Sequence, residues 1–295
     1  MTYGLIRHRL TAGRPLVTDS DVAAALGARG CSADEPGALG AVLHREAHKV
    51  REHHLAELSC RVDILSALTA DTTPRALAES GMEHRAARLT GRAVDLALGV
   101  ADESSRAVAV AGVLGSDQIS ASTRYRAEEE ISEHAARVAT AGCDLIVVRG
   151  MGSRLELVYA VAAAAAQEIP TWAVVDQHLG EHDLSGLLES IHDAGAEVVL
   201  FEVTSVQEGL DCLFACEVSE VPLIPGSLLA ADPEAVRGFP APLEPGWVEG
   251  FLRLTDAGAR VVGGGAGTTE IHSYALATQL GILHPSMPPG QLGIR

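Results

Sequence analysis

The sequence predicts an α/β protein, a single-domain (β/α)8 barrel of the TIM type, and three observations support this prediction. Eight short apolar runs alternate with longer segments that suit crossover helices, and such alternation implies parallel strands. The chain has 295 residues, which is enough for one barrel of about 250 residues. Hydrophobic residues make up 47% and aromatic residues only 3%, so small aliphatic side chains must form the core.

The eight predicted strands follow one another with room for a helix after each. They cover residues 15–19, 62–65, 107–112, 144–148, 171–175, 198–201, 221–224 and 260–263. Valine, leucine, isoleucine and alanine dominate these runs, as is typical of parallel strands that are buried on both faces. Eight such units predict a closed barrel, in which the active site lies at the carboxyl ends of the strands.

Helices are predicted between the strands. An alanine-rich stretch at residues 153–167 indicates one helix, and a proline-rich loop at residues 239–246 precedes a late one. Glycine follows alanine at Gly142, Gly195 and Gly258, shortly before a predicted strand. A glycine with a left-handed backbone ends a helix in such a place and lets the chain turn into the sheet.

Residues 1–295 are interpreted as one domain, with residues 1–14 as a lead-in and residues 283–295 as a tail. The formal net charge of −17 disfavours binding to nucleic acid and to anionic membranes. No apolar run approaches the ~20 residues that span a bilayer, and the first residues lack the apolar core of a signal peptide. The five cysteines show no CxxC spacing and predict reduced thiols, so we expect a cytoplasmic location.

One motif near the carboxyl terminus resembles a known family. Residues 260–269 read Arg-Val-Val-Gly-Gly-Gly-Ala-Gly-Thr-Thr, and His272 follows. This stretch resembles the last-strand motif of the zinc-dependent homocysteine S-methyltransferases, in which two adjacent cysteines follow the glycine pair. Gly265 and Ala266 occupy the positions of those cysteines, and Val203 that of the third zinc cysteine. The resemblance therefore implies the barrel without the family's zinc site, because none of these side chains binds zinc.

The resemblance covers nearly the whole chain. Asp19 matches the aspartate of the family's first strand, and His54 matches a histidine of the following helix. Arg149 stands where the family has a glutamate that helps to hold the amino acid, and Glu202 replaces an asparagine. Asp117 follows the third predicted strand, in a loop that is shortened relative to the family's. The resemblance implies that Asp19, Asp117, Arg149 and Glu202 are the positions that bind substrate.

Polar residues also collect at the ends of the predicted strands. They are Asp19, Asp117, Arg149, Asp176, Gln177, His178, His182 and Glu202. Side chains at these ends converge on the barrel mouth, so we predict that Arg149 and Glu202 face each other there. Either they pair directly, or they clamp the two charged groups of an amino acid. His178 near Asp176 is a candidate general base, and these two residues with Glu202 form the predicted catalytic set.

Two pairs of histidines lie in the segment before the second strand. His44 and His48 are four residues apart and could share a metal ion, but a hydrated outer face of a helix is favoured. His53 and His54 are adjacent and point to different faces of a helix. We expect one of them to be packed and the other to be hydrated.

Two functions remain open from the sequence. In the first, the chain is a non-catalytic member that serves in assembly or regulation, as a homo-oligomer or with a homologous active chain. In the second, it is a repurposed, zinc-independent enzyme that acts on a small amino-acid-like substrate. A methyltransferase of that kind would use S-adenosylmethionine or S-methylmethionine as donor. No other cofactor, no metal ion and no nucleic-acid or membrane partner is expected.

Overall fold

The computed structural model describes residues 2–33, 37–115, 124–180, 183–232, 234 and 238–283. Its strands are β1 (Leu16–Val17), β2 (Ile64–Ala67), β3 (Ala109–Gly115), β4 (Leu145–Arg149), β5 (Thr171–Asp176), β6 (Val198–Val203), β7 (Ile224–Leu229) and β8 (Val261–Gly264). All pairs are parallel, in the order β1-β8-β7-β6-β5-β4-β3-β2. A bridge between Thr18 and Ile64 joins the two ends of the sheet. The predicted (β/α)8 barrel is confirmed.

Helices surround the strands. They are α1 (Thr2–Thr11), α2 (Val22–Ala28), α3 (Ala38–Arg45), α4 (Ala47–Ser59), α5 (Pro74–Ala78), α6 (Ala86–Ala101), α7 (Arg124–Thr140), α8 (Arg154–Ala165), α9 (Gln177–Gly180), α10 (Leu184–Asp193), α11 (Val206–Val218), α12 (Trp247–Asp256) and α13 (Glu270–Gln279). The predicted alanine-rich helix is α8, and the hydroxyl of Ser153 caps its first turn. Among the described helices, none is both long enough and apolar enough to cross a membrane.

Three helices end at the predicted glycines. The φ angles are +89° at Gly142, +109° at Gly195 and +107° at Gly258, all in the left-handed region. Helix α12 begins directly after the predicted proline-rich loop. These turns follow from local chemistry, since only glycine adopts such φ angles without strain.

Helix α1 closes the amino end of the barrel, in the segment expected to be a lead-in. Ile6 and Leu10 are buried among the side chains that fill the barrel. The indole of Trp172 donates a hydrogen bond of 3.0 Å to the hydroxyl of Tyr3, which donates one of 3.0 Å to Glu197. The amino-terminal segment is therefore an integral part of the barrel.

Strand β7 departs most from the prediction, which placed it at residues 221–224. The strand begins at Ile224 and continues through Pro225 and Gly226. Pro225 lacks a backbone N–H, but its carbonyl accepts a hydrogen bond of 2.8 Å from the backbone of Arg260. Gly226 admits the neighbouring strand, because a Cβ there would lie 2.6 Å from the carbonyl oxygen of Val261. The close approach of two strands made a turn-like sequence into a strand.

Strand residues alternate between two apolar cores. In β6, Val198 and Leu200 pack inside the barrel, whereas Val199, Phe201 and Val203 pack in the layer between strands and helices. This alternation directs the intervening glutamate at the end of β6 toward the barrel mouth.

Candidate functional site

A cavity of about 360 Å³ opens at the carboxyl ends of the strands. Its polar lining includes Asp21, Ser66, Asp71, Arg149 and Glu202. Apolar side chains, among them those of Val22, Leu39, Leu68 and Val113, complete the wall. This volume falls in the range of about 300–1,000 Å³ that is usual for small-molecule sites. The predicted mouth is therefore an open pocket of suitable size for a small ligand.

Arg149 and Glu202 meet at this mouth, as predicted. Nη2 of Arg149 lies 2.8 Å from Oε1 of Glu202, and the two side chains are 33% and 22% exposed. Neighbouring carboxylates raise the pKa of Arg149, with Glu202 acting most strongly and Asp21 and Asp19 adding to it, although burial opposes them. The arginine is thus the cationic centre of an acidic mouth.

Asp19 lies below the larger cavity, in a narrow space that Arg149 and Trp172 also line. Its two carboxylate oxygens accept hydrogen bonds from Ser66, at 2.6 Å from the backbone nitrogen and 2.7 Å from the hydroxyl. Burial raises the pKa of Asp19 to about 6, against the opposing effect of these hydrogen bonds. Asp19 is therefore held rigidly at the bottom of the mouth.

Asp176 and His178 form a second pair at the end of β5. Nδ1 of His178 lies 2.7 Å from Oδ1 of Asp176, and the histidine side chain is 59% exposed. Burial raises the pKa of Asp176, whereas the charge of His178 opposes that rise. Asp176 is the register partner of Glu202 on β6. The pair is thus close to the mouth, but neither member lines the larger cavity.

Two residues of the predicted polar set, Asp117 and His182, lie outside the described residues. The structure adds three polar residues that the sequence reasoning did not select as site residues: Asp21, Ser66 and Asp71. Asp21 caps α2 through a hydrogen bond of 2.9 Å from the backbone of Ala23. A second aspartate two positions after Asp19, directly before a helix, was the available signal for it.

The positions of the family's zinc cysteines offer no side-chain donor atom. Val203 is buried in the layer between strands and helices, and Ala266 carries only a methyl group. At Gly265 an added Cβ would lie 3.0 Å from the backbone nitrogen of Ala230, which is a tight contact. Zinc needs thiolate, imidazole or carboxylate ligands. The residues at these three positions therefore do not fit a zinc ion.

The expectations for the histidine pairs need correction. His44 and His48 lie on different helices, because the chain breaks at Glu46 between α3 and α4. Both His53 and His54 are completely buried, so the expectation that one is hydrated was wrong. The error arose because α4 is covered on two sides, by the barrel and by neighbouring helices, which a single helical pattern does not reveal.

Comparisons with known proteins agree with the architecture. The family model described as homocysteine S-methyltransferase matches residues 16–280. The metallated form of the homocysteine methyltransferase MmuM from Escherichia coli superposes with a TM-score of 0.76 at 19% identity, over 90% of this chain and 96% of that one. A 3-dehydroquinate dehydratase from Geobacillus kaustophilus HTA426 superposes with a TM-score of 0.53 at 13% identity, over 93% of each chain. No curated protein sequence matches. The match of the family model along most of its length shows that the chain belongs to the homocysteine S-methyltransferase family.

Proposed function

We propose that this chain is a non-catalytic member of its family that binds a small amino-acid-like molecule at the barrel mouth. The observation that carries the proposal is the direct contact of 2.8 Å between Arg149 and Glu202 beside the open cavity. A catalytic clamp would hold the substrate between these two groups, and a direct contact leaves no room there. The adjoining cavity still accommodates a ligand.

The residues at the zinc positions support the loss of the family's metal chemistry. Val203, Gly265 and Ala266 cannot hold the ion that would bind a substrate thiol as a thiolate. Without a cation beside it, a thiol keeps a pKa of about 8.5 and is mostly protonated at neutral pH. We therefore expect no zinc at these positions.

The charges of the mouth suit a zwitterion. Within the described residues, Arg149 uses one guanidinium nitrogen for Glu202, so its other donors are available to a ligand carboxylate. Asp21 and Glu202 offer negative charge to an ammonium group. Asp19 supports the arginine from below, and Asp117 is the remaining predicted substrate-binding residue.

A partner chain is part of this proposal. Phe214 and Val218 lie one turn apart on α11 and are 67% and 62% exposed. Large apolar side chains side by side on a surface are typical of interfaces. The partner is a second copy or a homologous active chain. Analytical ultracentrifugation tests this: Phe214→Glu should dissociate an assembly that the exposed-surface control Glu189→Gln leaves intact.

Calorimetric titration with homocysteine, methionine and S-methylmethionine tests ligand binding. The unmodified chain should bind at least one of them, and Arg149→Ala should abolish binding. Arg154→Ala, a surface arginine paired with Asp183, is the matched control and should bind normally. Binding that survives Arg149→Ala would refute the assignment of the site.

A zinc-independent enzyme is the second candidate, and the contact of 2.7 Å between His178 and Asp176 favours it. An aspartate that orients a histidine is suited to remove a proton from an acceptor, with Glu202 nearby. The donor would be S-adenosylmethionine or S-methylmethionine, whose sulfonium groups are already activated. Mass spectrometry of the products decides between the candidates: turnover that His178→Gln abolishes would replace the non-catalytic proposal.

A further inference from the structure

The two histidines of α4 lie in an unusual environment. The side chains of His53 and His54 are 0% exposed, and their ring centroids lie 5.3 Å apart. None of their four ring nitrogens has a hydrogen-bond partner within the described part of the chain. A buried polar group without a partner costs about 1–3 kcal/mol, so native proteins usually satisfy such groups. Two adjacent imidazoles without partners therefore point to a ligand that binds both.

A carboxylate faces the same space. Ligand atoms of Asp19, His53 and His54 all lie within 4.8 Å of one another. Donors around a zinc ion at about 2.1 Å are about 3.4 Å apart, so small side-chain rotations would close these three residues around an ion. A second triad of His53, Glu57 and Glu270 shares one histidine with the first.

The first triad is the better ligand set. Glu270 already pairs with Arg29, whose Nη2 lies 3.0 Å from Oε1, and that positive charge disfavours a cation nearby. Asp19, by contrast, is oriented by two hydrogen bonds from Ser66 and retains free lone pairs on both oxygens. Hydrogen bonds that orient a ligating carboxylate are a regular feature of metal sites.

The protonation states agree with metal binding. Burial lowers the pKa of His53 well below its usual value and that of His54 to about 4. Both rings are therefore neutral at pH 7, which is the form that binds metals. A buried cation would also compensate the negative charge of Asp19 in this enclosed place.

We propose that Asp19, His53 and His54 bind a divalent first-row transition-metal ion such as zinc, in a closed site between the end of β1 and α4. This site is distinct from the family's zinc positions at Val203, Gly265 and Ala266, and it does not rest on the proposed function. Two imidazoles and one carboxylate are a donor set that zinc accepts. The ion ties α4 to the barrel wall below the mouth, and since no ligand side chain of α4 reaches solvent, it enters during folding.

Metal analysis of the purified full-length chain tests the proposal. After growth in medium with zinc and extensive dialysis, the unmodified protein should contain about one ion per chain. His53→Gln, His54→Gln and Asp19→Asn should each lower this content at least tenfold. His48→Gln is the matched control, because His48 is exposed on the same helix, and it should retain the ion. A folded His54→Gln variant with a full complement of metal would overturn the assignment.

A second measurement needs no variant. The chain is refolded with Co²⁺, and X-ray absorption at the cobalt edge reports the donor atoms. A shell of nitrogen and oxygen with imidazole scattering is expected. A sulfur shell would overturn the proposal, because it would place the ion on cysteine. So would an unmodified chain that contains no metal after growth and takes up neither Zn²⁺ nor Co²⁺ on refolding.

Discussion

At the amino end of the barrel one aspartate contacts two arginines, whereas at the carboxyl end one arginine faces several carboxylates. Asp63 is buried, pairs with Arg9 and Arg106, and accepts a hydrogen bond of 3.0 Å from the backbone of Val17. At the mouth, Arg149 contacts Glu202 through one nitrogen beside a cavity. The first arrangement saturates a charge and serves stability, and the second leaves charge available to a ligand. Equal residue types thus have different roles at the two ends.

Removing Asp63 should have the largest effect. Asp63→Ala leaves Arg9 and Arg106 close together without their shared partner, and we expect a loss of about 3 kcal/mol of unfolding free energy, at the lower end for a broken buried pair because both arginines are partly exposed. Urea denaturation measures this. Asp95→Ala, at an exposed position of α6, is the control and should change little. A loss no larger than that of the control would remove the contrast between the ends.

Acid should weaken the structure near the mouth through His134 of α7. Its Nε2 lies 3.0 Å from the carbonyl oxygen of Thr69, and burial lowers its pKa to about 4 from 6.5. The unfolded chain therefore binds a proton that the folded chain excludes, so stability is complete above pH 6.5 and falls as the pH drops toward 4. At pH 5 this histidine accounts for about 2 kcal/mol.

His134→Gln tests that value by comparison of unfolding free energies at pH 7 and pH 5. The loss between the two should be about 2 kcal/mol smaller in the variant than in the unmodified chain. Glutamine can still donate a hydrogen bond to Thr69 but does not titrate. His48→Gln, at an exposed position, should leave the loss unchanged. Equal losses in all three proteins would show that His134 does not control the acid response.

Arg149→Ala should cost less stability than Asp63→Ala, about 1 kcal/mol, because Arg149 and Glu202 both retain contact with water. Its main effect should be on ligand binding. Urea denaturation beside the calorimetric titration separates the two properties. A loss of stability as large as that for Asp63→Ala would mean that the two ends of the barrel do not differ in kind.

The smallest effect is expected from restoring the family's cysteines. A chain with Val203→Cys, Gly265→Cys and Ala266→Cys should gain no transfer of a methyl group from S-methylmethionine to homocysteine, because Arg149 would still replace the glutamate that the family resemblance implies. The tight contact at Gly265 adds strain. Product analysis by mass spectrometry checks this, with the unmodified chain as reference. Robust turnover by either protein would contradict the non-catalytic proposal.

The pattern of apolar runs was sufficient for seven of the eight strands and for the closed barrel, because buried parallel strands need continuous aliphatic residues. It misplaced β7, whose Pro225 and Gly226 read as a turn. It also missed the role of α1, in which only Ile6 and Leu10 are completely enclosed. Both errors concern elements whose state depends on distant partners, Val261 in one case and the barrel interior in the other.

At the site, residues placed by strand ends could be predicted, and residues placed by loops and helix packing could not. Arg149 and Glu202 follow buried runs, so their convergence follows from the fold. Asp21 and Asp71 reach the cavity only through the loops after β1 and β2. The sequence alone determined the barrel, its glycine turns, the acidic mouth and the loss of donor atoms at the three family positions, because all of these depend on residue type and local spacing.

Only the tertiary structure decided which of these groups meet. It brought His53 and His54 of α4 to Asp19, which is more than thirty residues away in the sequence, and it buried both rings. It also left the mouth open beside an ion pair. The physical reason is that burial and side-chain distance are set by the packing of the helices around the closed barrel, and helical or strand periodicity describes only one element at a time.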